Sequence, residues 1–339
     1  MSDCPQVRCV SLVVTGDVLL HEPLWAQAER DGGAAGLDFG PLLSGQAPYL
    51  AESDVAVCHL ETPLSAAGSD PKGYPNFSVP AQIATALAAV GYDGCSTASN
   101  HTVDQGVGGV DATLDALDAA GLRHAGSYRT PEDAATPTIF ESPGGAVALI
   151  AATYGLNTGS PPDPPWQVEI IDVPTILEQA DVARAAGADL VVVALHAGTE
   201  YRQEPTDVQR ATARALLESP DIDFVYGHHA HVVQPLESVG GKWVAYGLGN
   251  AVAAHGIVDL GNREGLLVRV RFGQLADGTW RTTDIGWVPS LVDDAVPYRW
   301  CALQPGSSCS DDDATSRDRI ASVVNAEGAV DAGAHLWTP

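Results

Sequence analysis

The 339-residue chain carries 43 acidic against 17 basic residues, a formal charge of −26, with 45% hydrophobic and 18% charged residues. A balance this acidic lacks the basic surface that nucleic acid or an anionic membrane requires of a partner, and no apolar run reaches the roughly 18 residues of a membrane span. What is left is a packed globular protein, long enough for one large α/β domain or two smaller ones.

The first apolar run, VSLVV (10–14), is too short for a signal peptide and leads directly into TGD. Further short β-branched or apolar runs follow: DVAVCHL (54–60), GCSTA (94–98), AVALIAATY (146–154), ADLVVVALH (188–196), IDFVYG (222–227), KWVAYGLG (242–249) and LLVRVRFG (266–273). Between them, helical periodicity is clearest at 80–90, 108–120, 174–186 and 205–218. Val110, Leu114, Leu117 and Ala120 share one face of the second helix, and Val208, Ala211, Ala215 and Leu216 one face of the fourth. Pro80, Pro174 and Pro205 stand at helix starts, where a missing N–H costs nothing. Near-continuous apolar strands alternating with such helices predict sheets covered on both faces. GYPNFSVP (73–80) and the proline-rich GSPPDPPW (159–166) predict exposed rim loops, with Trp166 as a candidate substrate wall. After Pro289 the pattern changes, and CALQPGSSCSDDD with the helix-like RDRIASVVNA predicts a terminal extension over 291–339, after a tail of 1–9 and a domain of 10–290.

The residues just beyond the strands carry the chemistry. VSLVV leads to Asp17, DVAVCHL to Glu61, GCSTA to Asn100 and His101, ADLVVVAL to His196, and IDFVYG to His228, His229 and His231. In α/β sheets, ligands gather outside the carboxyl ends of strands. One such residue could cap a turn or sit in a core, but five strand ends delivering ligand types to one edge predict a metal site. Oxygen and nitrogen donors without thiolate point to manganese, iron or zinc. Their number suits two adjacent divalent ions, an arrangement that activates water against an ester, phosphoester or amide.

Six cysteines are present, none in CxxC spacing, so a zinc knuckle or thioredoxin-type site is not expected. Cys4 with Cys9 and Cys301 with Cys309 lie in polar, turn-rich segments that suit local disulfides, while Cys58 and Cys95 fall in apolar strands as core thiols. Bridges would place the protein outside the cell or in its envelope, by way of an export signal that the sequence does not show; reduced cysteines would place it in the cytoplasm.

The segments TGDVLL (15–20), HLETPLS (59–65), ASNHTVDQGVGGVDATLDALDAAGLRHAGS (98–127), LHAGTEYRQEPTDVQ (195–209) and those from YGHHAHVVQPLE to VAYGLGN (226–250) resemble, in order, the CapA family of poly-γ-glutamate capsule synthesis proteins. That resemblance implies a layered sandwich of mixed sheets flanked by helices, similar to the calcineurin-like metallophosphoesterases. It implies Asp17, Glu61, Asn100, His196, His229 and His231 as metal ligands, and His101 as the acid or base nearest the scissile bond. Glu200 and His228 are further catalytic candidates; Glu200 could serve as base, as a second-layer residue or only as a solvated loop acid, and His228 could ligate a metal or orient a neighbour. Asp104 is expected to hold His101, since such histidines usually donate their other N–H to an outer partner. His59 stands where the family commonly has Asn and is read as an extra ligand or a second-layer residue; His21, four residues after Asp17, and Arg202 are read as second-layer or substrate contacts.

The implied function is metal-dependent hydrolysis of poly-γ-glutamate or another amide-linked envelope polymer or peptide, with capsule-synthesis subunits as candidate partners. A non-catalytic assembly protein, a metal-dependent peptide epimerase and a phosphoesterase are the alternatives. A protein at −26 repels a polyanion at long range, but salt screens this within about 10 Å. Lys72, Arg129, Arg202 and Arg263 are the cations expected to make the cleft locally positive.

Overall fold

The computed structural model describes residues 6–255, 259–293 and 295–339. The chain starts a first sheet with β1 (Arg8–Leu19), β2 (Val55–Leu60), β3 (Gly94–Ser96) and β4 (Arg123–Ala125). It then builds a second from β5 (Thr138–Glu141), β6 (Ala146–Thr153), β7 (Leu190–His196), β8 (Phe224–His228), β9 (Leu236–Val239) and β10 (Lys242–Ala245). Finally it returns to the first with β11 (Asn250–Ala253), β12 (Glu264–Gln274), β13 (Trp280–Val292), β14 (Trp300–Ala302) and β15 (His335–Leu336). The first sheet runs β14-β13-β12-β1-β2-β3-β4, with β11 also paired to β1 and β15 to β13; the second runs β5-β6-β7-β8-β10-β9. Both are mixed: β1 through β4 and β6 through β8 pair in parallel, while β12, β13 and β14 pair antiparallel.

Strand alternation sorts the apolar residues into three cores. Val10, Leu12 and Val14 of β1 and Val55 and Val57 of β2 meet Val192 and Ala194 of β7 and Phe224 and Tyr226 of β8 between the sheets. The opposite side of the first sheet, with Val13, Ala56 and Cys58, is covered by Ile83 and Leu87 of the helix Gln82–Val90 and by Val110, Leu114 and Leu117 of Gly106–Ala120. The outer side of the second sheet, with Val191 and Val193, is covered by Ile176 and Ala180 of Val173–Ala185 and Ala213 and Leu216 of Asp207–Glu218. The molecule is thus a helix–sheet–sheet–helix sandwich.

Four details depart from the sequence reading. Helix Asp207–Glu218 buries Gln209, Ala213, Leu216 and Leu217, and leaves Val208 74% exposed. Its rotation is set by a capping box between Thr206 and Gln209 and by the Gln209 amide, which donates to Gln234 Oε1 at 2.8 Å. A buried polar group must be paired, and that requirement overrides a weak apolar stripe. Second, Cys58 and Cys95 are bonded to each other, with Cα atoms 4.4 Å apart, because β2 and β3 place them in register. Third, Pro174 lies within its helix's first turn, whereas Pro80 and Pro205 precede the helices they announce. Fourth, the segment after Pro289 is built into the first sheet: β14 and β15 pair with β13, and Ile320 and Val324 enter the inter-sheet core. Cys301 and Cys309 are bridged as expected; Cys4 lies outside the described residues.

Candidate metal centre

The parity that fills the inter-sheet core also aims the ligands. In β2, His59 follows Val57 on the inter-sheet face; in β7, His196 follows Val192 and Ala194; in β8, His228 follows Phe224 and Tyr226. Asp17 would fall on the other face but for an irregularity in β1: Val14 pairs with Val57 and Asp17 with His59, so β1 carries one extra residue. A bulge shifts the period-2 alternation by one and turns Asp17 toward the histidines.

The structure brings together nearly all the residues singled out. Asp17, fully buried, accepts from His228 Nδ1 at 2.7 Å and from the His229 N–H at 3.2 Å, and lies 3.2 Å from His231 Nδ1. Glu61 Oε1 is 3.5 Å from His231 Nε2. His196 Nε2 meets Asn100 Oδ1 at 2.7 Å, and its Nδ1 meets His59 Nε2 at 2.9 Å. His59 therefore belongs to the cluster itself, with its ring stacked 3.9 Å from that of His228 and its Nδ1 2.8 Å from Ser96 Oγ. His101 Nδ1 donates to Asp104 Oδ2 at 2.7 Å, and Phe77 of the 73–80 rim packs edge-on against the ring at 4.9 Å. His229 and His231 have positive φ of 82° and 54°, a conformation that costs non-glycine residues about 1–3 kcal/mol each. The loop is held there by the contacts of Asp17 and by Asn250 Oδ1, 3.1 Å from His231 Nδ1.

The electrostatics set the carboxyls of Asp17 and Glu61 among imidazoles that burial and charge push in opposite directions. Burial would raise the Asp17 carboxyl, but the hydrogen bonds and charges of His228 and His231 outweigh it and hold the group well below the ordinary range. Burial pushes Glu61 upward against the pull of His231. Burial and neighbouring imidazoles keep His59 and His196 well below 6.5, and take His229 down to about 4. Neutral imidazole is the ligating form. His231 alone shifts upward, because Glu61 and Asp17 overcome its burial.

Three sets of ligand atoms each lie within 4.8 Å of one another: Asp17, His59 and His228; Asp17, Glu61 and His231; Glu200, His229 and His231. Among the described residues, both Glu61 carboxylate oxygens, His228 Nε2 and His229 Nδ1 are buried and find no hydrogen-bond partner. Buried polar atoms are ordinarily satisfied, so donor-poor acceptors converging in this way fit a divalent cation.

Some residues contribute that the sequence reading did not single out. Tyr154, half exposed, places its ring 4.6 Å from that of His229. His255 lies 5.0 Å from the His231 ring and 4.7 Å from that of His21, and among the described residues its Nε2 has no partner. His21 Nδ1 accepts from the Ala254 N–H at 3.2 Å. Asn250 closed the last recognised segment, VAYGLGN, and was legible there; His255 had no local signal. Of the four expected cations, Arg129 is bound to Asp115 and Asp118, Arg263 to Asp293, and Lys72 Nζ to Gln105 Oε1.

The fold and this site define an α/β protein of the calcineurin-like phosphoesterase architecture. The calcineurin-like phosphoesterase YfkN of Bacillus subtilis superposes with a TM-score of 0.51 at 15% identity, covering 94% of this chain and 97% of that one. A hypothetical protein of Thermus thermophilus superposes at 0.50, with 14% identity and coverage of 82% and 98%. The model of the bacterial capsule synthesis protein family PGA_cap matches residues 11–255, and the chain belongs to that family. It is 30% identical over 197 residues to the PGA biosynthesis protein CapA of Bacillus subtilis, covering 56% of this chain and 50% of the relative. To the capsule biosynthesis protein CapA of Bacillus anthracis it is 28% identical over 219 residues, covering 62% and 53%. The matched region thus spans about half the length of these relatives.

Proposed function

We propose that this chain is a metal-dependent hydrolase that cleaves an amide-linked polymer or peptide of the γ-glutamyl type during capsule synthesis or processing. The observation that carries the reading is the set of buried, unpartnered ligand atoms on Glu61, His228 and His229, set beside the His101–Asp104 pair. Asp17, Glu61, Asn100, His196, His229 and His231 would hold two divalent cations, manganese, iron or zinc, with Glu200 closing the exposed side. A cation bound there supplies Lewis-acid polarisation of the scissile carbonyl and acidifies water.

The remaining steps belong to the protein. His228 has a fully buried side chain, so it does not touch substrate: its Nδ1 holds Asp17, and its unpartnered Nε2 would be a further ligand. Asp104 accepts from His101 Nδ1 and fixes the orientation of the ring, leaving Nε2 as the atom that hands a proton to the departing amine. The names of the two relatives, a PGA biosynthesis protein and a capsule biosynthesis protein, support a capsule polymer over a phosphoester.

Metal analysis and mass spectrometry of γ-glutamyl oligomers test the reading. Asp17→Asn and His229→Ala should strip most bound metal while far-UV dichroism stays native. His101→Ala should retain metal and lose about 10²–10⁴ in turnover. Full occupancy in both ligand variants would remove the site. Loaded protein that binds oligomer without cleaving it would indicate an assembly protein, and unchanged mass with one solvent deuterium at Cα an epimerase.

A further inference from the structure

Beside the cluster lies a cleft of about 490 Å³, lined by Tyr201, Arg202, Glu204, Val232, Asp259 and Arg319 among others. Tyr201 joins it to the metal centre: its ring lies 6.2 Å from that of His231 and 6.0 Å from that of His255. Its N–H donates to the Ala230 carbonyl at 2.7 Å, in the loop between His229 and His231. The next residue is anchored as well. The Arg202 carbonyl accepts from Gln234 Nε2 at 2.7 Å, and Gln234 is fully buried and itself held by Gln209. The backbone that presents Arg202 is therefore fixed from both sides. Among the described residues, nothing bonds its guanidinium.

The other charges of the cleft decide what it fits. Arg319 is already neutralised by a two-point pair with Glu264, and Asp259 spends Oδ1 on the Gly261 N–H at 2.8 Å. What remains for a ligand is one guanidinium, the Glu204 carboxylate and the second oxygen of Asp259. A run of carboxylates would be held by one of these groups and repelled by two. A ligand bearing a carboxylate and an ammonium on one carbon satisfies all three, and a planar guanidinium suits the carboxylate in particular.

Resting on the hydrolase reading above, we propose that the cleft is the subsite for the free zwitterionic head of the substrate: its α-carboxylate on Arg202, its α-ammonium between Glu204 and Asp259. In a γ-linked chain only the amino-terminal residue carries both groups free, and its scissile carbonyl hangs on the side chain that leads away from them toward the metal centre. The substrate is then an unblocked γ-glutamyl end, and cleavage releases terminal residues one at a time: water adds to the γ-carbonyl, the C–N bond breaks, and the departing amine takes a proton.

The test uses metal-loaded full chain, γ-glutamyl oligomers with free or N-acetylated amino ends, and the variants Arg202→Ala, Arg202→Lys and Glu204→Gln. Turnover and equilibrium dialysis are measured together. For the free oligomer, Arg202→Ala should raise KM and Kd at least tenfold with kcat and metal content nearly unchanged, Arg202→Lys should recover only part, and acetylation should cost wild type about as much as Glu204→Gln. Early product should be free glutamate. Equal use of free and acetylated oligomers, internal cleavage, or an unchanged KM in Arg202→Ala overturns the subsite while leaving the hydrolase reading intact. Tight binding that depends on Arg202 and a free amino end, without cleavage, supports the subsite and refutes hydrolysis. Binding of the oligomer by neither protein refutes the subsite.

Discussion

Arg184→Ala isolates one buried charge behind the metal centre. Arg184 Nη2 donates to Asp223 Oδ2 at 2.6 Å, and also to the Asp221 carbonyl at 2.9 Å. The same Asp223 oxygen accepts from the Val191 N–H at 2.7 Å, so the pair ties the start of β7 to the start of β8, the strands that end in His196 and His228. Asp223 has only 10% of its side chain exposed and Arg184 24%. Removing one member of a buried pair costs about 3–5 kcal/mol, because the other charge is left unpaired; the partial exposure of Arg184 puts the expected loss near the lower end, at about 3 kcal/mol.

The loss has a pH dependence whose sign is fixed. Burial raises Asp223 from 3.8 to about 6, against the opposing pull of Arg184. A carboxyl raised in the folded state binds its proton more tightly there than when unfolded. Its favourable contribution is therefore complete below about pH 4 and is lost as pH rises through about 6, a change of about 3 kcal/mol. Without Arg184 the carboxyl shifts further up, so the variant suffers most above pH 7 and least once Asp223 is protonated in both proteins. Urea unfolding of unreduced wild type and variant should give a stability difference of about 3 kcal/mol at pH 7.5 that falls to about 1 kcal/mol at pH 5. A difference that is the same at both pH values, or below about 1 kcal/mol at pH 7.5, would refute the reasoning.

Two further outcomes follow from the site and its supports. Asn250→Ala removes the oxygen that orients His231 and the amide that donates to the Asn262 carbonyl at 2.8 Å; metal affinity should fall about 10–100-fold, as for other outer partners, by competition with a chelating indicator. Peptide mapping of unreduced protein should recover Cys58 linked to Cys95 and Cys301 linked to Cys309; free thiols at Cys58 and Cys95 would return them to ordinary core residues.

The sequence by itself determined the strands that lead into the site and what stands at their ends, while β4, β5, β9, β11, β13, β14 and β15 were not read from it. Apolar runs such as LVVVAL and the caps of the helices between them are local signals, and Asp17, Glu61, Asn100, His196 and His231 each follow such a run directly. The same locality limits it. The Asp17–His228 contact spans 211 positions and His59–His196 spans 137, and no short-range period encodes which distant strand end will face which. Tertiary structure alone decided that a bulge turns Asp17 inward and which of the two open readings of His59 holds, inside the cluster rather than behind it. It also decided that in-register pairing of β2 and β3 joins Cys58 to Cys95, that a buried glutamine outranks Val208 in setting a helix face, and that Arg129 and Arg263 are spent on acids while Arg202 is not. Each of these depends on burial and pairing across the sandwich, where a polar group must find a partner wherever the fold happens to place one.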